Sequence, residues 1–197
     1  MREMIKMVVV LTVLCAFSGG VLAFIRTNTK QRIEVQQLTF VKGPAIKAIL
    51  KGCENDPIMD RFKLTDGEVE RSFFVGIFDG EAKAVALESF GKGYGGDVGL
   101  MVGINVTDDS IVAVGVTTHA ETPGMGARAK DEPDFGAQLK GLSANDAVKV
   151  TNDGGAINAI SGATITSRAV CAAATEVGEI YKRLKPQIEE QLKAFSK

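Results

Sequence analysis

The sequence predicts an α+β fold: an N-terminal transmembrane helix, then a domain with a central antiparallel sheet and a long C-terminal helix. Three observations predict it. A charge-free apolar run opens the chain, alternating β-branched segments fill its middle, and an apolar stripe at helical spacing closes it. The 197 residues leave room for one anchor and one globular domain.

The opening run, Met7 through Ile25, carries no charged side chain and is closed by Lys6 and Arg26. At 1.5 Å per residue these 19 residues span about 28 Å, close to the ~30 Å hydrocarbon core. A cleaved signal peptide is the rival reading. Val21-Leu22-Ala23 is a poor small-residue cleavage site, and the run exceeds a typical h-region. A lipidated Cys15 would need a bulky apolar residue where Thr12 stands. A retained anchor is therefore expected. Arg2 and Lys6 precede it, while Arg26, Lys30 and Arg32 follow, so the charge bias does not choose a side.

Residues 27–50 have helical tendency with irregular phasing, broken at Gly43-Pro44, and 51–70 are rich in turn signals. Four strands are expected after that: Phe73–Phe78, Ala82–Ser89, Val98–Val106 and Ile111–Thr118. Asp79-Gly80 and Thr107-Asp108-Asp109 are the hairpin signals between them. A short helix around Asp134–Leu139 and short strands at Val148–Val150 and Ala156–Ile160 come next. The last helix runs from about Ser167 to Phe195, with Pro186 expected to kink or restart it. The domain division is 1–26 anchor, 27–70 juxtamembrane helical and loop region, and 71–197 soluble domain.

The net charge of −1, two Tyr and no Trp exclude the basic, aromatic footprint of a nucleic-acid binder. Cys15, Cys53 and Cys171 have neither metal-site nor CxxC spacing, and one histidine does not make a histidine metal site. Cys171, among alanines, reads as a small buried residue; a Cys53–Cys171 disulfide is the other possibility.

Three stretches can carry chemistry. Ser161-Gly162-Ala163-Thr164-Ile165-Thr166-Ser167 puts four hydroxyls and a glycine just before a long helix, a recipe for holding a phosphate on free first-turn amides. Thr166 or Ser167 is the expected cap; a hydroxyl-rich N-cap with no ligand is the competing reading. No lysine follows, so this is not a GxxxxGK[ST] loop. A threonine hydroxyl needs an activating base or a partner enzyme to react, and no histidine lies nearby in sequence. His119-Ala120-Glu121-Thr122-Pro123-Gly124-Met125-Gly126 follows a strand end: His119, Glu121, Thr122 and Gly124 offer polar or close contacts and Met125 an apolar one, or the stretch is a plain turn. Gly91-Lys92-Gly93-Tyr94-Gly95-Gly96-Asp97 sets Tyr94 either to stack on a planar ligand or to cover the core edge.

In that order, membrane segment, Gly-Tyr-Gly-Gly loop, Glu-Thr-Pro-Gly-Met-Gly loop and Ser-Gly-Ala-Thr turn, the chain resembles the G subunit of the bacterial Rnf electron transport complex. That family is similar to the C subunit of the sodium-pumping NADH:quinone reductase, and both contain an FMN-binding domain. The resemblance implies that 71–197 binds FMN, attached by a phosphoester to the threonine ending the Ser-Gly-Ala-Thr motif, here Thr164. It implies a separate flavin transferase, partner subunits in a ferredoxin:NAD-type ion-translocating complex, and a soluble domain outside the cytoplasmic membrane of a bacterial cell. It also implies an electron carrier rather than a complete enzyme. Family members often show an Asp three residues before the motif; this chain has Asn158, which hydrogen-bonds but supplies no carboxylate. Alternatives are a C-type subunit of the quinone reductase, or a membrane-anchored binding or assembly module without redox work.

Overall fold

The computed structural model describes residues 2–195. The chain divides into two units, Met1–Phe40 and Val41–Lys197.

The first unit is helical. Helix α1 (Arg2–Gln36) keeps its large apolar side chains exposed along the charge-free run. Its stretch Arg2–Lys30 is, among the described residues, the one helix long and apolar enough to cross a membrane. The irregular phasing after it has a structural counterpart: a π-helical turn, Gln37–Lys42, precedes α2 (Gly43–Ile49). Gly43-Pro44 does not end helix here but starts one, with Pro44 in the first turn, where a missing N–H costs nothing.

The second unit is built on a five-stranded antiparallel meander in sequence order. Its strands are β1 (Arg61–Asp66), β2 (Val69–Phe78), β3 (Glu81–Lys92), β4 (Asp97–Asn105) and β5 (Ser110–Val116). The four expected strands are β2–β5. β1 lies within the stretch read as loop-rich; Phe62 secures it by stacking on Phe73 with ring centroids 5.3 Å apart.

The two faces of the sheet carry different partners. Val85 and Leu87 of β3, with Leu100, Val102 and Ile104 of β4, pack against Val170, Ala173, Val177, Ile180 and Leu184 of the long helix α5 (Thr164–Lys193). Ile46, Ile49 and Leu50 of the α2 region are buried on the opposite face. Lys42 and Thr117 both bond the Glu88 carboxylate at 2.5 Å, tying the start of α2 to the ends of β3 and β5.

Helix α5 begins three residues earlier than expected and runs through Pro186 unbroken. Leu184 before the proline and Ile188 and Leu192 after it are all buried in the same core, which holds the helix across the lost backbone bond. The helix lies very close to its neighbours at two glycines. A Cβ at Gly91 would sit 1.9 Å from the Ala169 carbonyl oxygen, and one at Gly178 1.9 Å from that of Ala144.

Between β5 and α5 the chain forms α3 (Arg128–Asp131) and α4 (Pro133–Ala137). The cap of α4 is Glu132, with Pro133 inside the first turn, so the helix expected at 134–139 starts a residue early. The two short strands reduce to a single parallel bridge, Val150–Ile157, around a 3-10 turn at Thr151–Asp153. All three cysteines are free, so the Cys53–Cys171 disulfide is not formed.

Candidate functional site

The three stretches singled out in the sequence meet. A cavity of about 490 Å³ is lined by Tyr94 of the β3–β4 loop, by Glu121, Thr122, Met125 and Gly126 of the loop after β5, and by residues 162–166 at the start of α5. This is the volume range of small-molecule sites.

Local sequence explains each wall. Gly162 turns the chain with φ +80°, a conformation that suits glycine, and Ala163 becomes the N-cap of α5. Neither Thr166 nor Ser167 caps the helix: the cap position carries no side-chain hydrogen bond, and no acidic residue stands in the first turn. Ser167 turns inward instead, accepting from the Ile160 N–H at 3.0 Å and donating to the Ala163 carbonyl at 3.0 Å. The first-turn amides of a 30-residue helix are thereby left for an anion arriving from the cavity.

Glu121 is the centre of the arrangement. It is only 5% exposed. It accepts a hydrogen bond from the Gly95 N–H at 2.8 Å and another from the Thr166 hydroxyl, joining all three stretches through one carboxylate. Burial pushes its pKa up, but the Thr166 hydroxyl and the Gly95 and Tyr94 amides outweigh that and hold it below the ordinary glutamate value. The backbone at Gly126 fits beside this contact only without a side chain: a Cβ there would lie 2.5 Å from Glu121 Oε2 and 2.7 Å from Thr166 Oγ1.

Of the expected site residues, Tyr94, Glu121, Thr122, Met125, Gly162, Ala163, Thr164 and Thr166 line the cavity. Ser161, Ser167, His119 and Gly124 do not. The Ser161 carbonyl accepts from Arg128 at 3.4 Å, and His119 Nδ1 accepts from the Glu121 N–H at 3.3 Å. Gly126 and Ile165 also line the cavity; neither is an expected site residue, although both lie inside the quoted stretches. The sequence signal for Ile165 is a large apolar residue on the first turn of a helix whose stripe faces elsewhere; it is 47% exposed.

The two threonines differ sharply. Thr166 is 2% exposed and its hydroxyl is engaged with Glu121. Thr164 is half-buried, and its hydroxyl bonds none of the described residues.

Residues 93–178 match the FMN-binding domain family. The chain is also 31% identical over 171 residues to the G subunit of the ion-translocating oxidoreductase complex of Methanosarcina acetivorans, a match covering 86% of this chain and 89% of that one. The chain belongs to this G-subunit family. A further G subunit, from Cereibacter sphaeroides, is 35% identical over 137 residues, covering 66% of this chain and 59% of its own length. The crystal structure of the C subunit of the Na(+)-translocating NADH-quinone reductase from Parabacteroides distasonis superposes with a TM-score of 0.50 at 24% identity, over 58% of this chain and 62% of that one, a likeness of fold.

The chain fits FMN on its own geometry. FMN combines an anionic phosphate with a planar, largely apolar ring. The cavity offers an uncapped helix start at one wall, and exposed Tyr94, Met125 and Ile165 around it.

Proposed function

We propose that this chain is the flavin-carrying electron-transfer subunit of a membrane ion-translocating oxidoreductase complex of the ferredoxin:NAD type, with FMN joined to Thr164 by a phosphoester. One observation carries the reading: a half-buried threonine, its hydroxyl bonded to none of the described residues, lines the cavity at the uncapped N-terminus of α5 in an FMN-binding domain.

The protein's part follows from its residues. The first-turn amides and the Thr164 side chain would hold the phosphate, and Glu121 ties the α5 start to the Tyr94 loop. Tyr94, Met125 and Ile165 would supply the apolar contacts to the ring, and all three are exposed. When bound, FMN supplies the electron-accepting and electron-donating chemistry; the protein sets its position and surroundings. A carrier needs access for a redox partner more than it needs an enclosed substrate cavity. In this reading the chain works as a redox subunit within a larger catalyst.

A separate flavin transferase makes the ester, α1 anchors the chain, and the soluble domain faces the extracytoplasmic side of a bacterial cell membrane. The test is mass spectrometry of full-length protein purified from membranes of a host that contains the transferase. One FMN-sized phosphoester adduct is expected, lost in Thr164→Ala and kept in Thr166→Ala. A colourless protein of unmodified mass overturns the reading.

A further inference from the structure

Two hydroxyls border the cavity at the start of α5, yet only one phosphoester is expected there. In the modification, an acceptor Oγ–P bond forms as a P–O bond of an activated flavin phosphoanhydride breaks. The hydroxyl proton passes to a base of the transferase, and the remaining phosphate-bearing fragment departs. Nothing in that chemistry separates two threonines two residues apart. The fold does. The Thr166 hydroxyl donates to Glu121 Oε2, and the residue is 2% exposed. A Cβ at Gly93 would lie 2.5 Å from Glu121 Oε1, and one at Gly126 2.5 Å from Oε2 and 2.7 Å from Thr166 Oγ1. The carboxylate fills the space that side chains at Gly93 and Gly126 would take, and its Oε1 is held by the Gly95 N–H at 2.8 Å. Thr164, two residues earlier, is half-buried, and its hydroxyl bonds none of the described residues.

We infer that Glu121 is the positioning residue that selects Thr164 as the single phosphate acceptor, by drawing the Thr166 hydroxyl into the protein and setting a negative charge against it. The inference rests on the phosphoester reading above. A carboxylate accepting a hydroxyl's hydrogen bond is also the geometry of a general base. Burial decides between the two roles here: Thr166 is 2% exposed with its hydroxyl turned onto Glu121, which leaves an incoming phosphorus little access to it. The same charge disfavours a phosphate beside Thr166.

The experiment uses full-length protein from transferase-containing membranes, with the modified residue mapped by peptide mass spectrometry. Thr164→Ala is expected to carry no adduct. Thr164→Ala/Glu121→Ala is expected to regain one at Thr166, at least about tenfold above the single variant, the ratio set by releasing one hydrogen bond to a charged group. Glu121→Gln in the same background keeps hydrogen-bonding capacity without charge and is expected to give a smaller gain. Thr164→Ala/Tyr181→Phe controls for general loosening of α5, because it removes the Tyr181–Asp109 bond far along the helix. It is expected to stay unmodified. An adduct at Thr166 in Thr164→Ala alone, or none in both Glu121 double variants while they still melt cooperatively, overturns the role of Glu121 and leaves the phosphoester at Thr164 standing. Wild-type protein without any adduct overturns both.

Discussion

Glu121 has its lone pairs filled by a hydroxyl and backbone amides, which is what allows a carboxylate to be so nearly buried. Its folded pKa is depressed below the unfolded value, so its contribution to stability is present in full above the unfolded pKa and is lost as pH falls through the folded one. Wild type is expected to exceed Glu121→Gln in denaturant stability at neutral pH. The gap should close as pH drops below about 4.3, the ordinary glutamate value. A gap that is flat from neutral to acid pH would show that the carboxylate's charge is not what stabilises this contact. Truncation to Ala leaves the Thr166 hydroxyl and Gly95 N–H without their acceptor, and should cost about 1–3 kcal/mol. Cys171 gives a second check. Burial first, and the Asp153 charge after it, push its thiol up to about 11. At pH 8 it is expected to resist alkylation until denaturant is added. At this scale the sequence identified Glu121 as a polar contact to a ligand, from its loop position. It could not show that the carboxylate points back into the protein, because that depends on Gly95 and Thr166, residues far away along the chain.

Helix α5 is set by what lies against it more than by its own propensity. Gly178 is a poor helix residue, about 1 kcal/mol worse than Ala. Replacing it with Ala should nevertheless destabilise, because the new methyl meets the Ala144 carbonyl oxygen at 1.9 Å and overpacking of this kind costs about 1–3 kcal/mol. A net loss, read as a melting point lower by a few degrees, is expected for Gly178→Ala and for Gly91→Ala alike. A melting point raised by Gly178→Ala would mean that α5 has room to move outward. Pro186 teaches the same lesson. Local rules end a helix near a proline, whereas Leu184, Ile188 and Leu192 are buried on both sides of it and keep the helix whole. β1 was hidden for a related reason. Only Phe62 and Leu64 mark its inner face, between charged neighbours and turn residues, and the strand is recognisable once Phe73 supplies the partner ring. The four strands with continuous β-branched or alternating runs were legible from sequence, because their inner faces are long enough to show the period.

Across the whole second unit, two aspartates fasten the distal half of α5 to separate corners of the sheet. Asp66 at the end of β1 pairs with Arg183 at 2.8 Å. Asp109 in the β4–β5 turn accepts from Tyr181 and Lys185 at 2.7 Å each. Arg183 beside Asp66 holds that carboxyl low. Burial opposes the shift at Asp109, but Lys185, Tyr181 and Asn145 overcome it. Both folded pKa values are depressed, so this stabilisation is present above the ordinary aspartate value near ~3.9 and is lost as pH falls below it. The melting temperature should therefore drop in acid, and Asp109→Asn should flatten that drop; an unchanged acid profile would remove Asp109 from the account. The arrangement of layers was legible as sheet in the middle and helix at the end. That one sheet face takes α5 and the other α2 was not, because both inner faces of β3 and β4 read as apolar.

The meander has a consequence for how the protein is made. Strands β1–β5 pair in chain order, so the sheet can assemble as it leaves the ribosome. Thr164, by contrast, opens α5, and the cavity walls come from residues 94, 121, 122, 125, 126 and 162–166. The wall at 162–166 exists only after α5 has docked. On the phosphoester proposal, loading at Thr164 waits for α5 to dock, so a modified protein would carry a built-in record that this helix had folded.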